Sequence, residues 1–452
     1  MKKDTVTFKD IEDIFDSFLL LADRDLIRIT IAAVLGNQMA NRRPIWLMLV
    51  APPSSGKTTA LNALNGLKVT NRAGEFVEPI HSISDITENS FASGAQRSDG
   101  ETSLLFKIPK GGVMVFKDFT SILSKNADAK RIVMGQLREI YDGSYVKRTG
   151  TGKDVKWEGK IGALAGVTES VYQHLESMSV MGDRFMLYQV PQPDRKKMLR
   201  FKLDQERSGK TEDVQMPIAK ELVHAYMQRA YSNLANVKVT LTHELEEEII
   251  AVADFCTMVR SGIITNEYSG QIVFVPQPEM PARMFEQMLA LGSTFAYMRK
   301  LDDPSLDDED ALTKDDLRIM YKIAFDSIPV TRRIALTYLV RFSAGVETSA
   351  LATKINYPTQ VVQAWLEQLN ALGVVRRAKT SSGTNKWILK DEYVSLMEKL
   401  QGVKATHGTL ADRDVDQNDE PEHHWQKEKE HELRLLTDDE WREREENDND
   451  DF

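Results

Sequence analysis

The residues best suited to chemistry lie in one short loop, Ala51-Pro-Pro-Ser-Ser-Gly56-Lys57-Thr58, between an apolar run (45–50) and a stretch with helical spacing. A loop that cradles phosphates has the spacing G-x-x-x-x-G-K-[ST], with a strand before it and a helix after it. Its chemistry needs backbone N–H groups turned towards phosphate oxygens, a lysine for β- and γ-phosphate charge, and a hydroxyl for Mg²⁺. Gly56, Lys57 and Thr58 supply that end of the pattern, and Pro53, Ser54, Ser55 and Thr59 complete the candidate binding loop. Ala51 stands where the first glycine belongs, while Pro52 and Pro53 stiffen the same turn. The spacing points to ATP bound with Mg²⁺.

Such a site needs a second oxygen ligand for Mg²⁺, delivered from the end of another strand. The segment "GGVMVFKDF" offers Asp118 after the apolar run 113–116. The glutamate that usually follows and polarises the attacking water is replaced by Phe119. Glu75, Glu78, Glu88 and Glu139 are the alternatives, and the sequence does not choose among them. Two other acidic or histidine-bearing segments carry no metal chemistry. "HELEEE" at His243 lacks the second histidine of H-E-x-x-H, and His423, His424 and His431 have no recognised ligand spacing.

Those residues need a scaffold. Residues 8–42 place apolar and charged positions at helical spacing, and Pro44 opens the strand that feeds the loop. From there to about residue 195, short apolar runs alternate with helical stretches, which predicts a parallel sheet covered on both faces. "SYVKRTGTGKDVKWEGK" reads instead as a β-hairpin with basic arms around a Thr-Gly-Thr-Gly turn. Residues 201–328 are mostly helical, broken by "SGIITNEYSGQIVFVPQPEMP", and Thr313 with Asp316 forms a capping box. Residues 331–390 run helix, short helix, turn, helix and strand–turn–strand, the order of a winged helix-turn-helix. No internal repeat is present.

Composition bounds the setting. A chain of 452 residues predicts two to four domains, and 42% hydrophobic with 28% charged residues suits a soluble globular protein. Cys256 is the only cysteine, so no intrachain disulfide can form. The start, "MKKDTVTFKD", has no apolar run behind its lysines, and no stretch is long and apolar enough for a membrane helix. A cytoplasmic protein without membrane contact is expected. The net charge of −10 conceals a split: residues 405–452 hold 18 acidic against 6 basic residues, whereas residues 331–390 hold nine basic and two acidic. An acidic tail, expected to be disordered apart from one short helix near "HHWQKEKEHELRLL", follows a basic module.

The order of these pieces resembles the AAA+ ATPases, especially the minichromosome-maintenance helicases and related replication ATPases of phages and mobile elements. The resemblance covers roughly 44–390 and is one of order and short motifs; only the Lys57 loop is specific by itself. It implies that "GGVMVFKDFTSIL" is the Walker B strand with its following helix, and that "GKIGALAGVT" is the sensor-1 strand, with Thr168 at the polar position facing the γ-phosphate. It implies that Arg184 in "MGDRFMLYQV" is an arginine finger acting on a neighbouring subunit, and that Arg283 in "MPARMFEQMLALGSTFAYM" is sensor 2. A surface position for Arg184, a structural ion pair for Arg283 and a plain strand end for Thr168 are the alternatives.

The expected architecture is an N-terminal helical segment (1–43), an α/β P-loop core (44–200) with an inserted hairpin (145–160), an all-α lid (201–328), a winged helix (329–400) and an acidic tail (401–452). Lys147, Arg148, Lys153 and Lys156, with Lys160, Tyr145 and Trp157, suit gripping phosphates and stacking on bases. In the winged segment the helix "TQVVQAWLEQLNALG" has glutamines but no cations, and the charge sits on Arg376, Arg377, Lys379 and Lys386, so backbone contact is expected over base reading. The implied activity is an ATP-driven DNA translocase or helicase of a phage or mobile element, assembled as a ring, with a hexamer favoured. Single-stranded or forked DNA is the expected partner; the tail reads first as a solubilising segment, with mimicry of nucleic acid or recruitment of a basic protein as the alternatives. The alternatives are an AAA+ switch (initiator, helicase loader or defence regulator), which Phe119 favours, and a RecA-like ATPase, which the Arg283-bearing lid argues against.

Overall fold

The computed structural model describes residues 6–39, 42–71, 73–91, 103–148, 154–174, 184–233, 239–266, 270–306, 312–380 and 383–401. Lys153 and the acidic tail, with its three histidines and expected short helix, lie outside these residues.

Five strands form the central sheet: β1 (Trp46–Val50), β2 (Ile80–Ile83), β3 (Val113–Phe116), β4 (Gly162–Val167) and β5 (Met186–Gln189), in the order β2-β3-β4-β1-β5. Every neighbouring pair is parallel. β1, β3 and β4 are buried at every position, which is why they read as unbroken apolar runs. The architecture is α/β, with helices around a parallel sheet. Beneath one face, Trp46 packs edge-on against Tyr141 and tilted against Phe185, and Phe119 bridges Phe116 and Phe185.

Helix α1 (Phe8–Phe18) opens with a Thr7–Asp10 capping box, and α2 (Asp25–Gly36) is buried at every position except Arg28. A helix apolar on all sides belongs in an interior, and α2 accordingly lies inside a helical body. The loop is followed by α3 (Lys57–Asn62), and the sheet is flanked by α4 (Ala127–Asp142). After β5 come α5 (Arg195–Ser208), α6 (Glu212–Asn233), α7 (His243–Arg260), α8 (Ala282–Asp302) and α9 (Lys314–Asp326). Arg28 reaches Asp315 and the fully buried Asp316 at 2.6 and 2.7 Å, and Arg318 holds Asp25 at 2.7 Å, so the N-terminal helices and residues 282–326 are built into each other. The 201–328 stretch is not purely helical: between α7 and α8 it carries a two-stranded ribbon, Ile264–Thr265 with Ile272–Phe274.

β5 is an edge strand, and its outward N–H groups are taken up by side chains from the end of α9. Leu187 N donates to Ser327 Oγ at 2.9 Å and Gln189 N to Asp326 Oδ2 at 2.8 Å. Arg333, itself buried, pairs with Asp326 and with the Gln189 side chain. The C-terminal described segment comprises α10 (Val330–Leu339), α11 (Thr348–Ile355), α12 (Thr359–Ala371) and α13 (Asp391–Gln401) around a small antiparallel sheet, ordered Val346–Glu347, Asn385–Leu389, Val375–Lys379. Among the described residues no helix is long and apolar enough to cross a membrane.

Candidate functional site

Parallel strands present their C-terminal ends together, and open α/β sheets bind ligands at that edge. β1 leaves the sheet at Ala51, whose N–H donates to Val167 O at 3.2 Å, keeping the loop's first residue in register with β4. Handedness then alternates: Ser54 has φ +62° and Gly56 φ +84°, with Ser55 between them outside the positive-φ region. Alternation of this kind turns successive N–H groups towards one side. Ala51 is not among the positive-φ residues, so the missing first glycine imposes no strain. Gly56 is different, because besides its left-handed φ a Cβ there would come within 3.1 Å of Leu19.

Lys57 is buried and folded back over its own loop. Its Nζ donates to Ala51 O at 2.5 Å, Pro52 O at 2.8 Å and Ser55 Oγ at 3.0 Å. Burial lowers its pKa from 10.5 to about 8, against the opposing pull of Asp118 and Glu169. Thr58 is exposed at the first turn of α3, while Thr59 is buried and donates to Glu212 Oε1 at 2.7 Å. Pro53 is exposed with Ser54 on the outer side of the loop.

Asp118 is exposed two residues beyond the end of β3, where its Oδ1 accepts from Thr120 N at 2.9 Å. Phe119 points the other way, fully buried, with its N–H on Gly166 O at 2.9 Å. The chain thus turns its side chain into the core at the place where a water-polarising carboxylate was expected. Thr168 directly follows β4, the strand between β1 and β3; its Oγ1 lies 2.6 Å from Ser170 Oγ, and its N–H reaches Thr120 Oγ1 at 3.5 Å. Glu169 follows, exposed, with its charge acting on Lys57. Of the four carboxylates singled out in the sequence, Glu75 accepts from Asn71 Nδ2 and Glu78 pairs with Lys68, while Glu139 acts on Tyr145. At Glu88 it is the backbone carbonyl that accepts, from Gln136. Glu169 is the carboxylate the sequence reading missed; its only sequence signal is its place directly after Thr168.

Arg184 and Arg283 stand at the opposite end of the sheet. Gln287 accepts from Trp46 N at 3.0 Å and donates to Arg184 O at 3.1 Å, so both arginines sit where β1 enters. Five strand residues separate this end from the loop, about 16 Å at strand rise. Arg184 is only 4% exposed; it donates to Asp142 Oδ2 at 2.7 Å and lies over the Tyr141 ring. Arg283 donates to Glu279 Oε1 at 3.0 Å, and Glu279 also takes Arg260 at 3.0 Å. Arg283 and Arg184 are close enough to influence each other electrostatically.

The expected hairpin forms from Ser144–Arg148 and Asp154–Glu158, paired antiparallel. Its aromatic residues do not face solvent. Tyr145 and Trp157 are cross-strand partners buried in the core, so they cannot stack on bases. Lys147 donates to Asn89 Oδ1 at 2.6 Å, and Lys160, half-buried and lowered to about 8 by desolvation, donates to Met39 O at 2.9 Å. Arg148 and Lys156 remain exposed, on a face that also carries Asp154 and Glu158. In the C-terminal segment Arg376, Arg377 and Lys379 are exposed and Lys386 half-buried. Arg332 is internal: its NH1 donates to Val259 O at 2.6 Å and Ser261 O at 2.7 Å. With Arg333, it subtracts two cations from the basic surface counted in the sequence.

No protein-family model matches this sequence, and no curated protein is significantly similar to it.

Proposed function

We propose that the chain is an ATPase whose nucleotide site is the Lys57 loop, coupled to DNA translocation or unwinding. One observation carries this reading: a buried lysine whose ammonium is held by its own loop's carbonyls, beside an exposed aspartate at the C-terminal edge of a parallel sheet. Those carbonyl contacts are what polyphosphate oxygens would replace. Exposed hydroxyl and carboxylate oxygens on Thr58 and Asp118 suit Mg²⁺, a hard cation that needs few protein ligands beside phosphate. The bound ion would supply charge neutralisation on the phosphates. Glu169 is the carboxylate best placed to accept a proton from water, and Thr168 to orient that water. Arg184 and Arg283, at the far end of the sheet, could serve only another chain's nucleotide. Arg184 would first have to leave Asp142.

DNA contact is assigned to Arg148 and Lys156 of the hairpin and to Arg376, Arg377 and Lys386 of the C-terminal segment, read as a winged helix. A second reading has its own support. The buried Phe119, standing in place of a catalytic carboxylate, favours a switch that binds ATP and turns over slowly. Steady-state ATP hydrolysis with and without single-stranded DNA, with Lys57→Ala as control, separates the two. Strong stimulation by DNA, lost in the variant, supports the motor. ATP bound but scarcely hydrolysed in either condition leaves the switch.

A further inference from the structure

A buried cation outside the nucleotide loop stands at the C-terminal edge of the sheet. Arg333, on the first helix of the C-terminal segment, is 8% exposed and reaches three separate elements. It pairs with Asp326 at the end of α9 and with the Gln189 side chain at the end of β5. Its NH2 also donates to Tyr172 Oη at 3.3 Å. Gln189 is in register with Val50, the residue before the Lys57 loop begins. Tyr172 stands three residues after Glu169, in the short turn Glu169–His174.

Two kinds of contact hold that turn. Val171 is fully buried, and Tyr172 packs half-buried against the same core. Apolar contacts of this sort fix depth but not direction. Direction comes from hydrogen bonds. Val171 N donates to Thr168 O at 3.1 Å within the turn, and Arg333 holds Tyr172 from outside it. Burial raises Tyr172 to about 12, so its hydroxyl stays protonated. Glu169 is close enough for its charge to act on Tyr172, as it does on Lys57.

Packing alone does not call for an arginine here. Burying a guanidinium is costly, and an apolar residue of similar volume often serves as well. Asp326 has partners besides it, Lys322 Nζ at 2.7 Å and Gln189 N at 2.8 Å. Arg333 Nε is buried with no hydrogen-bond partner, an uncompensated donor. What the planar fork adds is geometry: it fixes Gln189 and Tyr172 relative to each other.

We infer that Arg333 and Tyr172 are positioning residues: the guanidinium, brought from the C-terminal segment, holds the Tyr172 hydroxyl and so sets where Glu169 stands against the Lys57 loop. Whatever shifts α10 then acts on turnover through this bond. The inference rests on the nucleotide-site reading and on the role given there to Glu169.

The test compares full-length wild type, Tyr172→Phe, Arg333→Lys, Glu169→Gln and the double variant Tyr172→Phe/Glu169→Gln. Thermal melting checks that each keeps the fold, and the two clamp variants substitute for each other if one does not. Fluorescence titration with a non-hydrolysable ATP analogue reads affinity, and steady-state hydrolysis reads kcat and KM. Both clamp variants should keep analogue affinity and KM. Their kcat should fall by about tenfold to a hundredfold, the cost of misplacing a reacting group by the order of an ångström. On the Glu169→Gln background Tyr172→Phe should lower kcat no further, because residues that act as a unit are not additive.

Wild-type kcat in the clamp variants overturns the inference. So does a loss seen in KM or affinity instead, an equal loss on both backgrounds, or wild-type turnover in Glu169→Gln. A wild type that binds the analogue without hydrolysing ATP keeps the nucleotide site and removes the positioning role. A wild type that binds no analogue overturns the nucleotide reading itself, and the inference with it.

Discussion

Thr59 Oγ1 donates to Glu212 Oε1 across 153 residues of sequence, joining the first turn of the loop helix to the first turn of α6. This bond sits one residue from the hydroxyl assigned to Mg²⁺, and it is the direct link by which the loop could report its occupancy to the helical body. Thr59→Val should cost about 1 kcal/mol of stability, the net worth of one such bond, plus any penalty for Glu212 left unpaired. A double-mutant cycle with Glu212→Ala, read by urea denaturation, should return a coupling of about 1 kcal/mol. Additivity would show that the bond carries nothing.

Lys57 gives a pH dependence with a defined sign. Its folded pKa of about 8 lies below the unfolded 10.5, so between those values the unfolded chain holds a proton that the folded chain has lost. Stability contributed by this group therefore rises with pH across that window. Binding runs the other way, because polyphosphate favours the charged ammonium. Triphosphate affinity should be level just below pH 8 and fall by up to about tenfold per unit above it. Calorimetry in two buffers of different ionisation enthalpy should register proton uptake. Lys57→Met should abolish both the slope and most of the affinity.

Phe119 and Glu169 make opposite predictions. Phe119→Glu would place a carboxylate in a fully buried aromatic cluster, so it should destabilise the fold by several kcal/mol and restore no turnover. Glu169→Gln, at an exposed position, should leave the melting temperature unchanged. It should lower ATP turnover by about 10²–10⁴-fold if Glu169 is the general base. Equal turnover in Glu169→Gln and wild type would remove it from the mechanism.

The hairpin divides likewise. Trp157→Ala should cost about 3–5 kcal/mol, as expected of a buried aromatic. Arg148→Ala and Lys156→Ala should leave stability alone and weaken DNA binding. Each should flatten the salt dependence of single-strand affinity by about 0.7 in the log–log slope, the signature of one lost phosphate contact.

Four of the five sheet strands, the turn of the loop, the place of Asp118 after its strand and the Thr313 capping box were legible because each is set by local pattern: apolar runs, a fixed motif, a cap three residues from its partner; β2, with His81 and Ser82 between its two isoleucines, is no apolar run and was not. The hairpin was legible as a hairpin, but its orientation was not. Both faces of "SYVKR" mix a cation with an apolar residue, so that strand did not say which side the core would take; "DVKWE" alternates cleanly and carried the signal in Val155 and Trp157. Arg332 and Arg333 look like surface charge in sequence. Only their partners, contributed by Val259, Ser261, Asp326 and Gln189, make them internal. Arg184 and Arg283 are neighbours through Gln287 and Tyr141, a relation between distant segments that no spacing rule contains.

The interior position of α2 has a consequence for how the chain is made. Its ion pairs, and a hydrogen bond from the neighbouring α1, join residues 287 to 294 apart: Arg28 with Asp315 and Asp316, Asp25 with Arg318, and Phe8 N with Asp302. The Arg28 and Asp25 ion pairs of α2 therefore stay unmade until nearly three hundred further residues have been synthesised. At roughly 5–20 residues per second that is a wait of about 15 to 60 seconds before these pairs can close. Nascent chains of this protein should consequently reach protease resistance only after α9 has emerged.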